Sequence, residues 1–335
     1  MPSRTPPIAL AAPDSFKGTF RAAEVAAALG RGLERAGFLP DLCPIADGGD
    51  GTMEVLLTAL GGETGAAEVS DPLGRPVQAT YALLEDGATA VVEMAQASGL
   101  GLVGEEERDA EAASTRGTGE LILAAVAAGA QVVLVTVGGS ATTDGGTGAL
   151  EAIEEGGGVG GARLVCLCDV RTPFERAAEV FAPQKGADPE AVRRLSRRLE
   201  DLAGQLPRDP RGVAMGGAAG GLSGGLWAAC GAVLQPGAAF VLDALGFDAR
   251  MRAARAVVTG EGHIEDQTLQ GKAVGEVATR CRQAGVPLHA IVGANDLDPF
   301  DQRIMDLETI AEATTLAEIE AAAELLGAQL PRWAG

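Results

Sequence analysis

The sequence is poor in aromatic residues, in lysine and histidine, and in long apolar runs, and each shortage removes a class of protein. Phe, Tyr and Trp make up 3% of 335 residues, so Ala, Val and Leu must build the core. Such a core suits parallel strands packed on Ala-rich helices. No apolar run reaches the roughly 20 residues of a membrane helix. The stretch from Pro7 to Pro13 is apolar but short, with only Arg4 before it, and reads as a first strand rather than a signal peptide; no membrane partner and a cytoplasmic location are the expectation. Five cysteines (Cys43, Cys166, Cys168, Cys230 and Cys281) form neither a disulfide framework nor a zinc pattern. Cys166 and Cys168 sit two apart on a strand and read as reduced core residues. A net charge of −20 argues against nucleic acid or an anionic membrane as partner. Two nucleotide signatures are missing. The pattern GxxxxGK[ST] fails because Ala273 follows Gly271-Lys272 and Asp266 stands where the leading glycine belongs. No GxGxxG follows a strand either.

What is present in excess is glycine, at 48 residues, well above the roughly 7% of ordinary domains, and it clusters in loops. Only three of the 26 basic residues are lysine, and Lys17, Lys185 and Lys272 each touch a glycine. A compact ammonium beside exposed backbone N–H groups is a sensible phosphate contact.

Strand and helix patterns alternate along the chain, which predicts an α/β fold with a parallel sheet. Strands are expected near Ile8–Ala12, Leu42–Ala46, Gln131–Val137, Leu164–Cys168, Ala256–Thr259, Leu288–Val292 and Thr309–Ala311. Three short β runs between Ala66 and Ala95, parted by Asp71-Pro72-Leu73-Gly74 and Glu85-Asp86-Gly87, predict a local antiparallel meander. This change of texture divides the chain into two domains: residues 1–64 with 240–335 as a discontinuous α/β domain, and 65–239 as an inserted mixed α/β domain. The helix Pro189–Gln205 carries Arg193, Arg194, Arg197 and Arg198 among Glu200 and Asp201 and reads as a solvated face.

Four loops share one form, a strand followed by Gly with Asp or Glu and then a helix, the place where open α/β sheets bind ligands. They are Asp14-Ser15-Phe16-Lys17-Gly18; Asp47-Gly48-Gly49-Asp50-Gly51; Gly138-Gly139-Ser140 through Asp144 to Gly146; and Gly260-Glu261-Gly262 with Gln267, Thr268 and Lys272. Helix N-termini there offer N–H groups to an anion. Carboxylates at strand ends are suited to Mg²⁺, and Asp47, Asp144, Asp169 and Glu261 are the candidates, one of which would instead accept a proton from an attacking hydroxyl. These features point to a small-molecule kinase. Gly221-Leu222-Ser223-Gly224-Gly225 matches the G-x-S-x-G elbow of hydrolases, with Asp243 or Asp248 and His263 or His289 as partners, but a Gly/Ala run precedes it where that motif needs a hydrophobic strand.

At these loops the sequence resembles the type 1 glycerate kinase family. The matching runs are Ala12 to Gly18, Ala46 to Thr52, Val137 to Thr142, Cys168-Asp169-Val170, Pro183-Gln184-Lys185-Gly186-Ala187, Gly217 to Gly221, and Thr259 to Gly262 with Gln267-Thr268. The resemblance implies ATP-dependent phosphorylation of D-glycerate, at the 2-hydroxyl, with ATP and Mg²⁺ as cofactors. It also implies two domains, one a flavodoxin-like parallel sheet with helices on both faces and one resembling a restriction-endonuclease fold. On that reading Lys17 and Lys272 contact phosphate or the glycerate carboxylate, Asp47 is base or orienter, and Asp144 and Asp169 hold Mg²⁺. Asp14, Ser15, Gly48, Gly49, Asp50, Gly138, Gly139, Ser140, Lys185, Gly260, Glu261, Gln267 and Thr268 bind substrate or phosphate. A kinase for another small hydroxy acid and a non-catalytic phosphometabolite-binding protein are the alternatives. The chain departs from the family pattern at Thr143, Thr172 and His263-Ile264-Glu265.

Overall fold

A computed structural model describes residues 6–265, 268 and 272–330. Among these residues lie the strands β1 (Ile8–Pro13), β2 (Leu39–Leu42), β3 (Gly62–Ser70), β4 (Pro76–Leu84), β5 (Thr89–Glu93), β6 (Val132–Thr136), β7 (Arg163–Cys168), β8 (Val233–Pro236), β9 (Val257–Gly260), β10 (Leu288–Val292) and β11 (Leu307–Glu312). The chain forms two compact units, Met1–Asp47 with Ala238–Gly335 and Gly48–Gly237. The divisions expected from sequence fell at 64/65 and 239/240. The helix Thr52–Leu60 belongs with the second unit, where Met53 N donates to Glu93 on β5 at 2.8 Å.

The discontinuous unit is a five-stranded, wholly parallel sheet in the order β2-β1-β9-β10-β11. Counted within the unit this is 2-1-3-4-5, the flavodoxin-like order, whose ligand crevice opens where the strand order reverses, here between β1 and β9. Both strands are buried on both faces, with Ala9 to Ala12, Val257 and Val258 fully inaccessible. That is why they read as unbroken apolar runs rather than as alternation. One face is covered by the helix Ala22–Arg35, whose Val25, Ala28, Leu29 and Leu33 share a core with Ile319, Ala323 and Leu326 of the helix Leu316–Gln329. Thr315 starts that last helix with a capping box. Its hydroxyl accepts from Glu318 N at 3.2 Å while its own N–H donates to the Glu318 carboxylate at 3.1 Å.

β2 ends where sequence reading expected it to begin. Residues 43–46 stay extended beside β1, with Cys43 N donating to Ala11 O and Ile45 N to Pro13 O. The buried side chains of Cys43, Ile45 and Ala46 carry the apolar signal, while β2 itself is an exposed edge that gives little.

The inserted unit holds a six-stranded mixed sheet, β3-β4-β5-β6-β7-β8, antiparallel through β5 and parallel from β5 to β8. The expected meander is β3-β4-β5. Its first turn is tied by Asp71 Oδ1, which accepts from Leu73 N and Arg75 N at 2.8 Å each, and its second by Asp86. β8 was not foreseen, because four residues ending in a proline leave no period to detect. No described helix is long and apolar enough to cross a membrane.

His289 on β10 is 3% exposed, neither ring nitrogen has a hydrogen-bond partner, and Glu308 on β11 lies 3.7 Å away. Burial lowers its pKa from the ordinary 6.5, with Glu308 opposing. The unfolded chain therefore takes up this proton more readily, and stability falls as pH drops through the ordinary imidazole value. In urea unfolding at about pH 7.5 and about pH 5.5, on either side of that value, His289→Val should show a smaller loss of stability on acidification than the unaltered protein. An equal loss would contradict the burial argument.

Candidate functional site

In the discontinuous unit the two strands at the order reversal end in acidic loops. Past β1, Asp14 N donates to Gly260 O at 2.8 Å, locking the end of β1 onto the end of β9. The Asp14 carboxylate accepts from Ser15 N at 2.6 Å. A tight turn in which Phe16 and Phe20 exchange backbone hydrogen bonds follows, and it presents Lys17 to solvent. Lys17 Nζ stands 3.7 Å from Asp47 Oδ2, which arrives from the extended segment after β2. Past β9, Glu261 Oε1 accepts from the Thr268 hydroxyl at 2.8 Å. Lys272, at the start of the helix Ala273–Ala284, lies 3.4 Å from Glu265. His263 Nε2 meets Asp296 Oδ2 at 2.7 Å. Asp14, Lys17, Asp47, Glu261, Lys272 and His263 line one concavity of about 360 Å³.

Its electrostatics are dominated by crowded acid. Asp14, Asp47 and Glu261 are 6%, 3% and 7% exposed. Burial, then the neighbouring Asp47, raises the Asp14 pKa well above the carboxylate range. Burial also pushes Glu261 up to about 7, with Asp47 adding to it and the Thr268 hydrogen bond, Lys272 and Lys17 opposing. A carboxyl that changes charge near neutral pH beside two ammonium groups can take a proton from a substrate hydroxyl while the lysines hold an anion.

In the inserted unit the loop after β6 is pinned from both sides. Asp144, 2% exposed, accepts from Thr115 N and Oγ1 at 2.8 Å each and from Gly148 N at 3.2 Å on Oδ2. Its Oδ1 accepts from Gly146 N at 3.0 Å. Lys185, also 2% exposed, donates to Ser140 Oγ at 2.7 Å and Thr142 O at 2.5 Å. Burial lowers the Lys185 pKa to about 7, with Asp144 opposing. The loop lies hard against the Gly48–Gly51 segment: a Cβ on Gly138 would sit 2.6 Å from Gly49 Cα, so only glycine fits there.

Comparison with known proteins decides the family. The model of the glycerate kinase family matches residues 9–155 and 158–329. The chain belongs to the glycerate kinase family. A glycerate kinase of Halalkalibacterium halodurans is 39% identical over 322 residues, 84% of each chain, and a glycerate 2-kinase of Escherichia coli K12 is 36% identical with the same coverage. A crystal structure of a candidate glycerate kinase 2 from Salmonella typhimurium LT2 superimposes with a TM-score of 0.81 at 33% identity, covering 96% of this chain and 98% of that one.

Within this glycerate kinase fold, the expected residues fall into two groups. Asp14, Ser15, Lys17, Asp47, Gly260, Glu261, Thr268 and Lys272 belong to the discontinuous unit, and Gly48, Gly49, Asp50, Gly138, Gly139, Ser140, Asp144, Asp169 and Lys185 to the inserted one. Gln267 and Gly271 lie outside the described residues. Two expected roles are at odds with the geometry. Four donors already occupy the Asp144 carboxylate, which argues against metal ligation and for a loop clamp. Lys185 is spent inside the protein on Ser140 and Thr142, not offered to a phosphate. The hydrolase alternative also fails, since Ser223 is fully buried and its hydroxyl donates to Met215 O at 2.6 Å. Glu265 and Thr314 line the concavity and were not among the expected site residues. Thr314 follows β11 with no glycine-rich loop to mark it, and only the parallel alignment of strand ends reveals its place.

The clamp carries a stability prediction. Asp144→Ala leaves buried N–H groups unpaired, each costing about 1–3 kcal/mol, and should lower the unfolding free energy of the inserted unit by about 3 kcal/mol or more. A loss below about 1 kcal/mol in urea unfolding would contradict it.

Proposed function

We propose that this protein transfers the γ-phosphoryl group of ATP to the 2-hydroxyl of D-glycerate, giving 2-phosphoglycerate and ADP, in the cytoplasm. Family membership supports the reaction class, and relatives named glycerate kinase and glycerate 2-kinase support the acceptor. The observation that carries the assignment of roles is the concavity between the ends of β1 and β9, where Glu261 stands among Asp14, Asp47, Lys17 and Lys272.

In this reading Lys17 and Lys272 hold the glycerate carboxylate and the entering phosphate by charge. Ionised Glu261 accepts the hydroxyl proton, the freed oxygen forms the new P–O bond, and the bond from the γ-phosphorus to the bridging oxygen breaks with its electron pair leaving on ADP. Asp47, beside Lys17, orients that ammonium rather than serving as base. Much of the acceleration in such transfers comes from positioning and fixed charge.

A divalent cation fits one expected ligand and not the other. No group of three acidic, imidazole or thiol side chains suited to a metal occurs among the described residues. Mg²⁺ needs no such cage, because it takes one or two carboxylates and completes its shell with phosphate oxygens and water. Asp169, half-buried just past the end of β7 in the inserted unit, is the other expected carboxylate and the one that would hold it. Bound there, Mg²⁺ would offset the negative charge of phosphate oxygens.

An assay containing D-glycerate, ATP and enolase, without mutase, reports the 2-phosphate product directly. The protein should produce phosphoenolpyruvate in it, whereas product formed only after mutase is added would move the transfer to the 3-hydroxyl. Glu261→Gln should lower kcat/KM by about 100-fold or more with the fold intact. Because a base acts deprotonated, kcat/KM of the unaltered enzyme should fall as pH drops below about 7. A Glu261→Gln enzyme within about threefold of normal would remove Glu261 from the proton transfer.

A further inference from the structure

The inserted unit carries a second concavity, of about 420 Å³, whose charge is opposite to that of the first. Arg194, Arg197 and Arg198 stand on one face of the helix Pro189–Ala203, at the i, i+3 and i+4 spacing that makes helical neighbours. Thr147, at the start of the helix Thr147–Glu155, and Gln205 complete the polar wall, with Asp201 as the opposing carboxylate. In a chain of net charge −20, three guanidinium groups line the hollow with one carboxylate, Asp201 of the same helix, and Glu111 pairs with Arg194 beside it, so the local charge stays positive.

Two of the arginines are fixed in place without being used up. Arg194 forms a fork on the Glu111 carboxylate at 2.8 and 2.7 Å, and Arg198 Nη1 donates to Glu111 O at 2.9 Å. A guanidinium has five donors, so Arg198 keeps most of its own. Arg197 has no acceptor within hydrogen-bond distance among the described residues. Rigid forked donors beside an unpaired one form a surface for phosphate-type oxygens rather than for a carbonyl or a cation.

We propose that this hollow is a binding site for a compact oxyanion of at least two negative charges, of the pyrophosphate class, separate from the acidic concavity at β1 and β9. The proposal is independent of the kinase reading. Arg197 supplies the free charge, Arg198 a second forked donor, and the second N–H of the Gln205 amide, whose Nε2 also donates to Asp201 O at 3.1 Å, the neutral contact; the Thr147 hydroxyl only borders the hollow, since it donates to Asp144 O at 2.7 Å. The site is also placed to touch the pinned loop. Leu199 and Leu202, on the same helix, pack on Gly145 so closely that a Cβ there would lie 2.5 Å from Leu202 Cδ2.

Calorimetric titration of the full-length protein with inorganic pyrophosphate at low salt tests it. Binding should weaken at least tenfold in Arg197→Glu and at least threefold in Arg197→Gln, each checked by circular dichroism for an intact fold. It should stay within twofold in Arg163→Gln, an exposed arginine outside both concavities, and should weaken as salt is raised. Absence of binding at millimolar pyrophosphate would overturn the proposal. So would binding unchanged by Arg197→Glu, or binding lost equally in Arg163→Gln.

Discussion

Three carboxylates, Asp14, Asp47 and Glu261, are held out of water at the ends of neighbouring parallel strands, and the chemistry of the discontinuous unit follows from their crowding. The crowding is imposed by strand order. β1 lies between β2 and β9, so the segments leaving all three must converge, and the hydrogen bonds Asp14 N to Gly260 O and Ile45 N to Pro13 O fix how closely. Like charges that cannot separate share fewer ionised states than carboxylates in water. The nearby ammonium groups of Lys17 and Lys272 offset the repulsion without abolishing it. One result is an acid whose proton affinity suits neutral pH.

The inserted unit answers the opposite problem, a long glycine-rich loop that must keep one shape. There a buried lysine and a buried aspartate work as ties. Asp144 gathers the N–H groups of the helix that follows and of Thr115, while Lys185 reaches back to Ser140 and Thr142. Removing water makes such bonds strong and makes a missing partner costly. Two residues whose types suggest metal and phosphate contacts are therefore read better as the scaffold of the loop.

The α/β class, the parallel sheet and the meander were legible because apolar runs and turn residues are local signals. The Leu164–Cys168 run and β7 differ by one residue, and Leu288–Val292 is β10. The unit boundary was less legible, because the helix Thr52–Leu60 is amphipathic in either setting and only tertiary contacts, with β4 and β5 and through the bond from Met53 N to Glu93, show where it packs. Lys17, Asp47, Glu261 and Lys272 were legible as a set from their glycine-bearing loops. Their division of labour was not, since Asp47 and Glu261 are equivalent as sequence. The Thr268 hydrogen bond to Glu261 and the Lys17 contact of Asp47 distinguish them. The arginines of the helix Pro189–Ala203 read as a solvated face because spacing alone does not disclose the hollow beside them.

The charge state of Glu261 decides whether this residue can accept the hydroxyl proton. Carbon-13 NMR of carboxyl-labelled protein, compared with Glu261→Gln to assign the resonance, measures it without reference to turnover. The signal lost in the variant should titrate with a midpoint near 7 and move downward when Asp47→Asn removes the neighbouring charge. A midpoint near the ordinary 4.5 of a glutamate, unmoved by Asp47→Asn, would contradict the claim that burial and crowding prepare this residue to accept a proton.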